Sequence, residues 1–290
     1  KNLAVKDLLY HQSGLTRLST FYLNAIDKDS YKGSLYSNAK NQAHPVRFDA
    51  RTYVRNDFSF LPNLVSARKK PGFTTEIARN MYLHDSFKDT IIQEIKDSRL
   101  GVRGKYKYSC INFILLKMMV EKQMRQPMDR LFALTCSSAS LELGIRLQSV
   151  AYPRHDADRP DRKTTILSVG NCFAAMCMMR QPLSRGGVSG NAGLFSNAND
   201  LAKVLQLYLN QGSYGGEQYL SKETCRLFTQ SKSPTCRRGL GFDKPVAGGG
   251  KASPCGSLAP ASVYGHTGFT ALAFGWTRIT TCCISSCPTV

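Results

Sequence analysis

No run of eighteen apolar residues occurs in the chain, which excludes a membrane-spanning helix of ordinary length. Acidic side chains are scarce: 20 Asp and Glu stand against 39 Lys and Arg, a formal charge of +19. That imbalance draws the chain towards anionic polymers and membrane surfaces, and it bears on solubility rather than on fold. Paired Cys-x-x-Cys sets with histidine are missing as well. Of the ten cysteines, Cys110, Cys225, Cys236 and Cys255 are scattered and the others cluster within 136–177 and 282–287, while the five histidines lie far apart. This placement argues against structural zinc and against a disulfide framework. Aromatics interleave with basic residues in "YVRNDFSF" and "KYKYSC", but without a ribonucleoprotein signature or zinc-finger spacing, so specific nucleic-acid recognition is not expected. The opening "KNLAVKDLLYHQSGL" lacks the basic start, apolar stretch and small-residue cleavage site of an export signal; it reads as mid-domain sequence and predicts a fragment. Internal repeats and low-complexity tracts are absent.

What is present suffices for a packed core, with 42% apolar residues, and we expect one partial domain over 1–290. Residues 3–10 predict a short amphipathic helix, followed by a turn at Ser13-Gly14. Residues 27–75 are polar and basic, and Pro45, Pro62 and Pro71 break any long element, which predicts loops. Ile77, Met81, Ile91, Ile92 and Ile95 recur at helical spacing and predict a helix within 74–100. "CINFILLKMMVEKQM" (110–124) predicts a buried helix. "SNANDLAKVLQLYLNQG" (196–212) predicts another, with Asn199 as N-cap, Leu201, Val204, Leu205 and Tyr208 on one face, and Gly212 as its stop.

Two stretches lose this legibility: about 133–184, and 271–290, where Cys282, Cys283 and Cys287 crowd together without an acidic residue. A one-base shift of reading frame restores sense to both. Within synonymous codon choice, 271–290 becomes "GTCFWVDPDNNLLYIFLSNR", an apolar strand, a turn and a second apolar strand. The same shift turns "SVGNCFAAMCMMRQPLS" (168–184) into "RRQLLRGYVHDEAAAF", which flows into the glycine-rich "RGGVSGNAGLFS". Both stretches are therefore expected to be out of frame, the tail then costing the sheet a hairpin. A genuine Cys-rich tail, with "ITTCCIS" as a strand, is the alternative.

Three stretches stand in order: "KDLLYHQSGL" (6–15), "YKYSCINFILLKMMVEKQMRQPMDRLF" (106–132), and "GGVSGNAGLFSNANDLAKVLQLYLNQG" followed by "YGHTGFT". Together they resemble the serine β-lactamase and penicillin-binding-protein-like hydrolases, the branch related to class C enzymes. The ordered set is most similar to the hydrolase module that follows a family 3 β-N-acetylhexosaminidase domain in some gut bacteria. The resemblance implies an α/β fold of the α+β type: a mostly antiparallel sheet flanked by helices, plus a helical subdomain. In that family a Ser-x-x-Lys serine is acylated, a Tyr-x-Asn tyrosine helps remove its proton, and a Lys/His-Thr-Gly strand completes the site. Tyr108 in "YSC" matches the tyrosine, with Cys110 where Asn or Asp is usual; Asn112 is nearby but turned away by the helix. His266, Thr267 and Gly268 match the third motif, and the resemblance makes the Phe269 N–H an oxyanion donor beside the substrate pocket.

Literal Ser-x-x-Lys strings at Ser37–Lys40 and Ser66–Lys69 lie in solvated, loop-like context, whereas acylation requires a serine at the head of a buried helix. In the family the nucleophile precedes the "DLLxHxSGL" stretch, so it is expected upstream of Lys1 and the chain alone is expected to be inactive. The implied reaction is acyl transfer to serine, then hydrolysis of an ester, amide or cell-wall-related peptide, with no metal or organic cofactor. The implied setting is the bacterial envelope or periplasm. A cationic, non-catalytic module that binds cell-wall glycan or another polyanion is the competing expectation.

Overall fold

The computed structural model describes residues 2–16, 21–47, 52–78, 80–136, 146–147, 190–191, 194–195, 198–246, 253, 255–267, 273–277 and 282–286. The chain divides into two compact units, one comprising Lys1–Arg17, Ser98–Leu147 and Leu194–Val290, the other Leu18–Asp97 and Gln148–Gly193.

The first unit begins with the helix Val5–Leu9. His11, at φ 55°, turns the chain out of it, and residues 11–14 then lie along residues 101–107. Gly101 N–H donates to Gly14 O at 2.7 Å, Gly104 N–H to Gln12 O at 2.9 Å and Lys107 N–H to His11 O at 2.9 Å. The approach demands glycine: Gly14 has φ +77°, and a Cβ there would stand 2.6 Å from Gly101 O. Thus the turn expected at Ser13-Gly14 also joins two segments distant in sequence.

The helix Cys110–Met124 falls on its predicted span and ends where Arg125 adopts a left-handed conformation. It is buried on one side only. Ile111, Asn112, Ile114 and Lys117 face inward, while Met119, Val120 and Met124 are 46%, 40% and 55% exposed. The expectation of a buried helix therefore holds for its inward face and not for Met119, Val120 and Met124. Lys117 Nζ pairs with Glu121 Oε2 at 2.7 Å, and Glu121 Oε1 accepts the Met128 N–H at 2.8 Å, which ties the turn into the helix Met128–Cys136.

The helix Ala198–Leu209 is a second match, shifted at its start: Asn199 lies inside the first turn and is not the cap. Leu201, Tyr208 and Leu209 pack with Phe242 against Leu205 and Tyr264. Phe242 meets Tyr208 and Tyr264 edge-on at 5.8 and 5.5 Å between ring centres, a favoured aromatic geometry. Gly212, at φ +94°, stops the run, and its N–H closes onto Leu207 O at 2.8 Å. Tyr264–Thr267, Ala273–Thr277 and Cys282–Ser286 form an antiparallel three-stranded sheet, with Tyr264 opposite Trp276 and Gly275 opposite Ile284. The tail thus closes a hairpin, against the expectation that this stretch would cost the sheet one. On the other edge Asp243 and Gly265 exchange both main-chain bonds, at 2.8 and 3.1 Å.

In the second unit, 27–75 is more ordered than the proline pattern predicted. Ile26–Asp27 pairs with Ser59–Phe60, Tyr53–Val54 lies between Tyr36–Ser37 and Val46–Arg47, and Met81–Leu83 lies between Val65–Ser66 and Thr75–Ala78. The predicted helix over 74–100 shrinks to Phe87–Asp97, with Phe87, Ile91 and Ile95 buried. Ile77 and Met81 stand on adjacent strands instead, joined through Asn80 at φ 57°. A four-residue apolar spacing across a tight turn looks the same as one helical turn, and the left-handed Asn decides between them.

Candidate active site

The strand Tyr264–Thr267 and the loop beside it set one wall of a polar cluster in the first unit. The main-chain pair between Asp243 and Gly265 brings the loop 238–243 alongside His266. Arg238 is 1% exposed and Asp243 4%, so each charge is out of water and needs the other. Arg238 Nη1 donates to Asp243 Oδ1, which Arg237 Nη1 also meets. The free arm of Arg238 turns to the strand, where Nη2 lies 3.3 Å from His266 Nε2. A guanidinium only donates, so Nε2 of His266 accepts and its ring proton sits on Nδ1.

Residues 11–14 and 106–112 set the other wall. His11 is 1% exposed. Its Nδ1 accepts the Ser109 N–H at 3.2 Å and the Asn112 side-chain N–H at 2.9 Å. Asn112 Oδ1 in turn accepts the Ser13 hydroxyl at 2.6 Å, and Ser13 Oγ accepts the Leu15 N–H at 3.2 Å. Each bond runs in one direction, and together they place the His11 proton on Nε2. Burial, reinforced by the charge of Arg238, pushes His11 down to about 3, so the ring is neutral. Tyr108 lies against it with ring centres 4.4 Å apart and planes tilted by 34°.

Tyr108 is 36% exposed. Burial, then the charge of Cys110 and its hydrogen bond to the phenol, raises Tyr108 to about 12 against the opposing pull of Arg238. Arg238 is therefore the shared neighbour of the two candidate catalytic residues: it bonds His266, and its charge reaches Tyr108. Thr267 pairs through its backbone with Ala273; Gly268 and Phe269 lie outside the described residues. Asn112 is fully buried in the His11 network, turned inward as its two-residue helical offset from Cys110 requires.

Ser37 and Ser66 are placed in the second unit, on the two-residue strands Tyr36–Ser37 and Val65–Ser66. Their hydroxyls donate to Ala39 O and Arg68 O, both at 2.8 Å. These are local turn bonds, and neither serine heads a helix. Sequence reasoning missed His11, Arg238 and Asp243. His11 lay in the quoted "YHQSGL" without a role, and nothing in "RRGLGF" marks which arginine is buried. Among the described residues no three His, Cys, Asp or Glu side chains group as metal ligands.

The order of these segments is that of a known family. The family model described as Beta-lactamase matches residues 1–281, and the chain belongs to that family. It is similar to a protein of Escherichia coli (strain K12) named "Putative D-alanyl-D-alanine carboxypeptidase", 32% identical over 208 residues, 67% of this chain and 47% of that one. A protein of the same name from Salmonella typhi is 29% identical over 206 residues, 65% of this chain and 46% of that one. The chain thus spans about half the length of the curated relatives it matches. Among solved structures, "Crystal structure of putative beta-lactamase from Bacteroides dorei DSM 17855" aligns over 96% of this chain and 61% of its own, at 12% identity and a TM-score of 0.48.

Proposed function

We propose that this chain carries the tyrosine and histidine side of a serine acyl-transfer site, acting on a cell-wall-related peptide, an amide or an ester. The observation that carries the reading is the buried Arg238, which bonds His266 and whose charge reaches Tyr108. A residue from the middle of the chain and one from near its end share this neighbour, as a Tyr-x-x and His-Thr-Gly pair of one active site requires. Relatives named "Putative D-alanyl-D-alanine carboxypeptidase" support a cell-wall substrate and an envelope location. In this reading Tyr108 exchanges a proton with the attacking serine, Thr267 and Gly268 border the pocket, and the Phe269 N–H meets the oxyanion.

The acylated serine comes from sequence beyond these 290 residues, because the hydroxyls of Ser37 and Ser66 are spent on local bonds to Ala39 O and Arg68 O and neither serine heads a helix. Residues 133–184 and 271–290 are read out of frame, and a β-N-acetylhexosaminidase domain precedes the module in the full protein. Purified chain is expected to show no acylation by a chromogenic ester or a β-lactam in intact-mass measurements. A burst on any of its serines overturns this. Sequencing the coding DNA and several hundred bases upstream tests the frame and the nucleophile together. In the extended, in-frame protein, Tyr108→Phe and His266→Ala should each lower kcat by about 100-fold or more.

The charge of +19 favours a second reading, a cationic module for cell-wall glycan or another polyanion. Binding that collapses with added salt yet survives Tyr108→Phe and His266→Ala would favour it.

A further inference from the structure

We propose that His11 is a positioning residue for Tyr108: the Ser13–Asn112 relay locks its ring, and the locked ring sets the stance and the solvation of the phenol. The inference rests on the reading of Tyr108 as a site residue, though its test needs no turnover.

His11 adopts φ 55°, a conformation that His and Asn tolerate better than most side chains and that costs about 1 kcal/mol or more. Its ring is out of water, and its Nδ1 takes two hydrogen bonds from the segment that bears Tyr108, one from the main chain next to Tyr108 and one from Asn112. Phe113 closes on the same ring at 5.4 Å, and Tyr106 meets it edge-on at 6.4 Å. A helix-end residue held from so many sides is over-determined for simple packing. One face of this fixed, neutral ring is the surface on which Tyr108 rests.

The charged and titratable groups around the pair are Arg238, Asp243 and His266 towards His11, and Cys110, Arg238 and Tyr106 towards Tyr108. Arg238 is already engaged by Asp243 and His266. Its pull on the phenol therefore does not offset the water that the ring stack keeps out. Tyr108 consequently presents its O–H as a donor at neutral pH, and it accepts a proton only after a further cation arrives.

The test is the phenolate absorbance of Tyr108, isolated among 13 tyrosines by subtracting the titration of the Tyr108→Phe chain. In the unaltered chain the midpoint should lie at about 12. His11→Asn keeps the left-handed tolerance and an acceptor for the Ser109 N–H but removes the ring. It should bring the midpoint down by about one pH unit or more, towards the ordinary ~10. His11→Phe restores a ring that the relay no longer locks and should recover only part of that drop; full recovery would overturn the relay's part. An unmoved midpoint in a His11→Asn chain with unchanged circular dichroism overturns the proposal. If that variant does not fold, nitrogen-15 shifts of His11 in the unaltered chain decide. They should show a proton on Nε2 and no titration between about pH 5 and 8, and a proton on Nδ1 or a titration in that range overturns it equally. Failure here leaves the acyl-transfer reading standing, and loss of that reading leaves the titration result unchanged.

Discussion

The candidate serines of the second unit and the buried polar cluster of the first are bonded in different ways. In the second, Ser37, Ser66, Asn41 and His44 bond to groups within a few residues of themselves or across one short hairpin. In the first, His11 is bonded to Ser109 and Asn112, Gln12 to Ser233 at 2.8 Å, and Arg238 to His266. These partners come from distant parts of the sequence and are mostly buried. Local polar bonds cost little to form and hold little else in place. Buried long-range bonds demand complete pairing and fix one arrangement of several segments. A Ser-x-x-Lys string in the second unit is therefore composition, while an unremarked histidine in the first is architecture.

Four measurements break or sharpen this contrast. Arg238→Met should have the largest effect, about 3–5 kcal/mol in chemical denaturation, because it strips the buried Asp243 and His266 Nε2 of a donor while Arg237 stays beside Asp243. A loss below about 1 kcal/mol would mean that Arg237 suffices and the buried network is weakly coupled.

Acid should act next through His11. Its folded value, about 3, lies below the ordinary 6.5 of an unfolded chain. The unfolded state thus binds the extra proton first, and the His11 contribution is whole above about pH 6.5 and drains away as pH falls towards 3. With each pH unit worth about 1.4 kcal/mol, the full loss is on the order of 3–5 kcal/mol. Denaturation midpoints followed from neutral pH down to about 4 should show this slope and lose it in His11→Asn.

Asn112→Ala should cost about 2 kcal/mol, since it strips an acceptor from Ser13 and a donor from His11 at a fully buried position. Ser37→Ala and Ser66→Ala should each stay within about 0.5 kcal/mol and leave any reaction with acyl probes unchanged. An effect on acylation from either would move the chemistry into the second unit.

The same contrast explains what could be read beforehand. The helices Cys110–Met124 and Ala198–Leu209 were legible because apolar periodicity is a property of a single element. Of the expected face Leu201, Val204, Leu205 and Tyr208, the cluster around Tyr264 contains Leu201, Leu205 and Tyr208. The strands Thr75–Ala78 and Met81–Leu83 were misread because Ile77 and Met81 mimic one helical turn across a hairpin. Tyr108 and His266 were singled out through their motifs. Arg238 was not, because its importance lies in a bond to a residue 28 positions away and in a carboxylate held by a main-chain bridge. No periodicity encodes such a contact.

That bridge has a practical use. Because Asp243 and Gly265 each hold the other's amide, exchange of those two protons with deuterium reports whether the loop of Arg238 remains seated on the strand of His266. Slow exchange at both would certify an assembled wall in any sample. Fast exchange at both, with Leu205 still protected, would reveal a preparation whose core is sound but whose chemistry-bearing edge has peeled away.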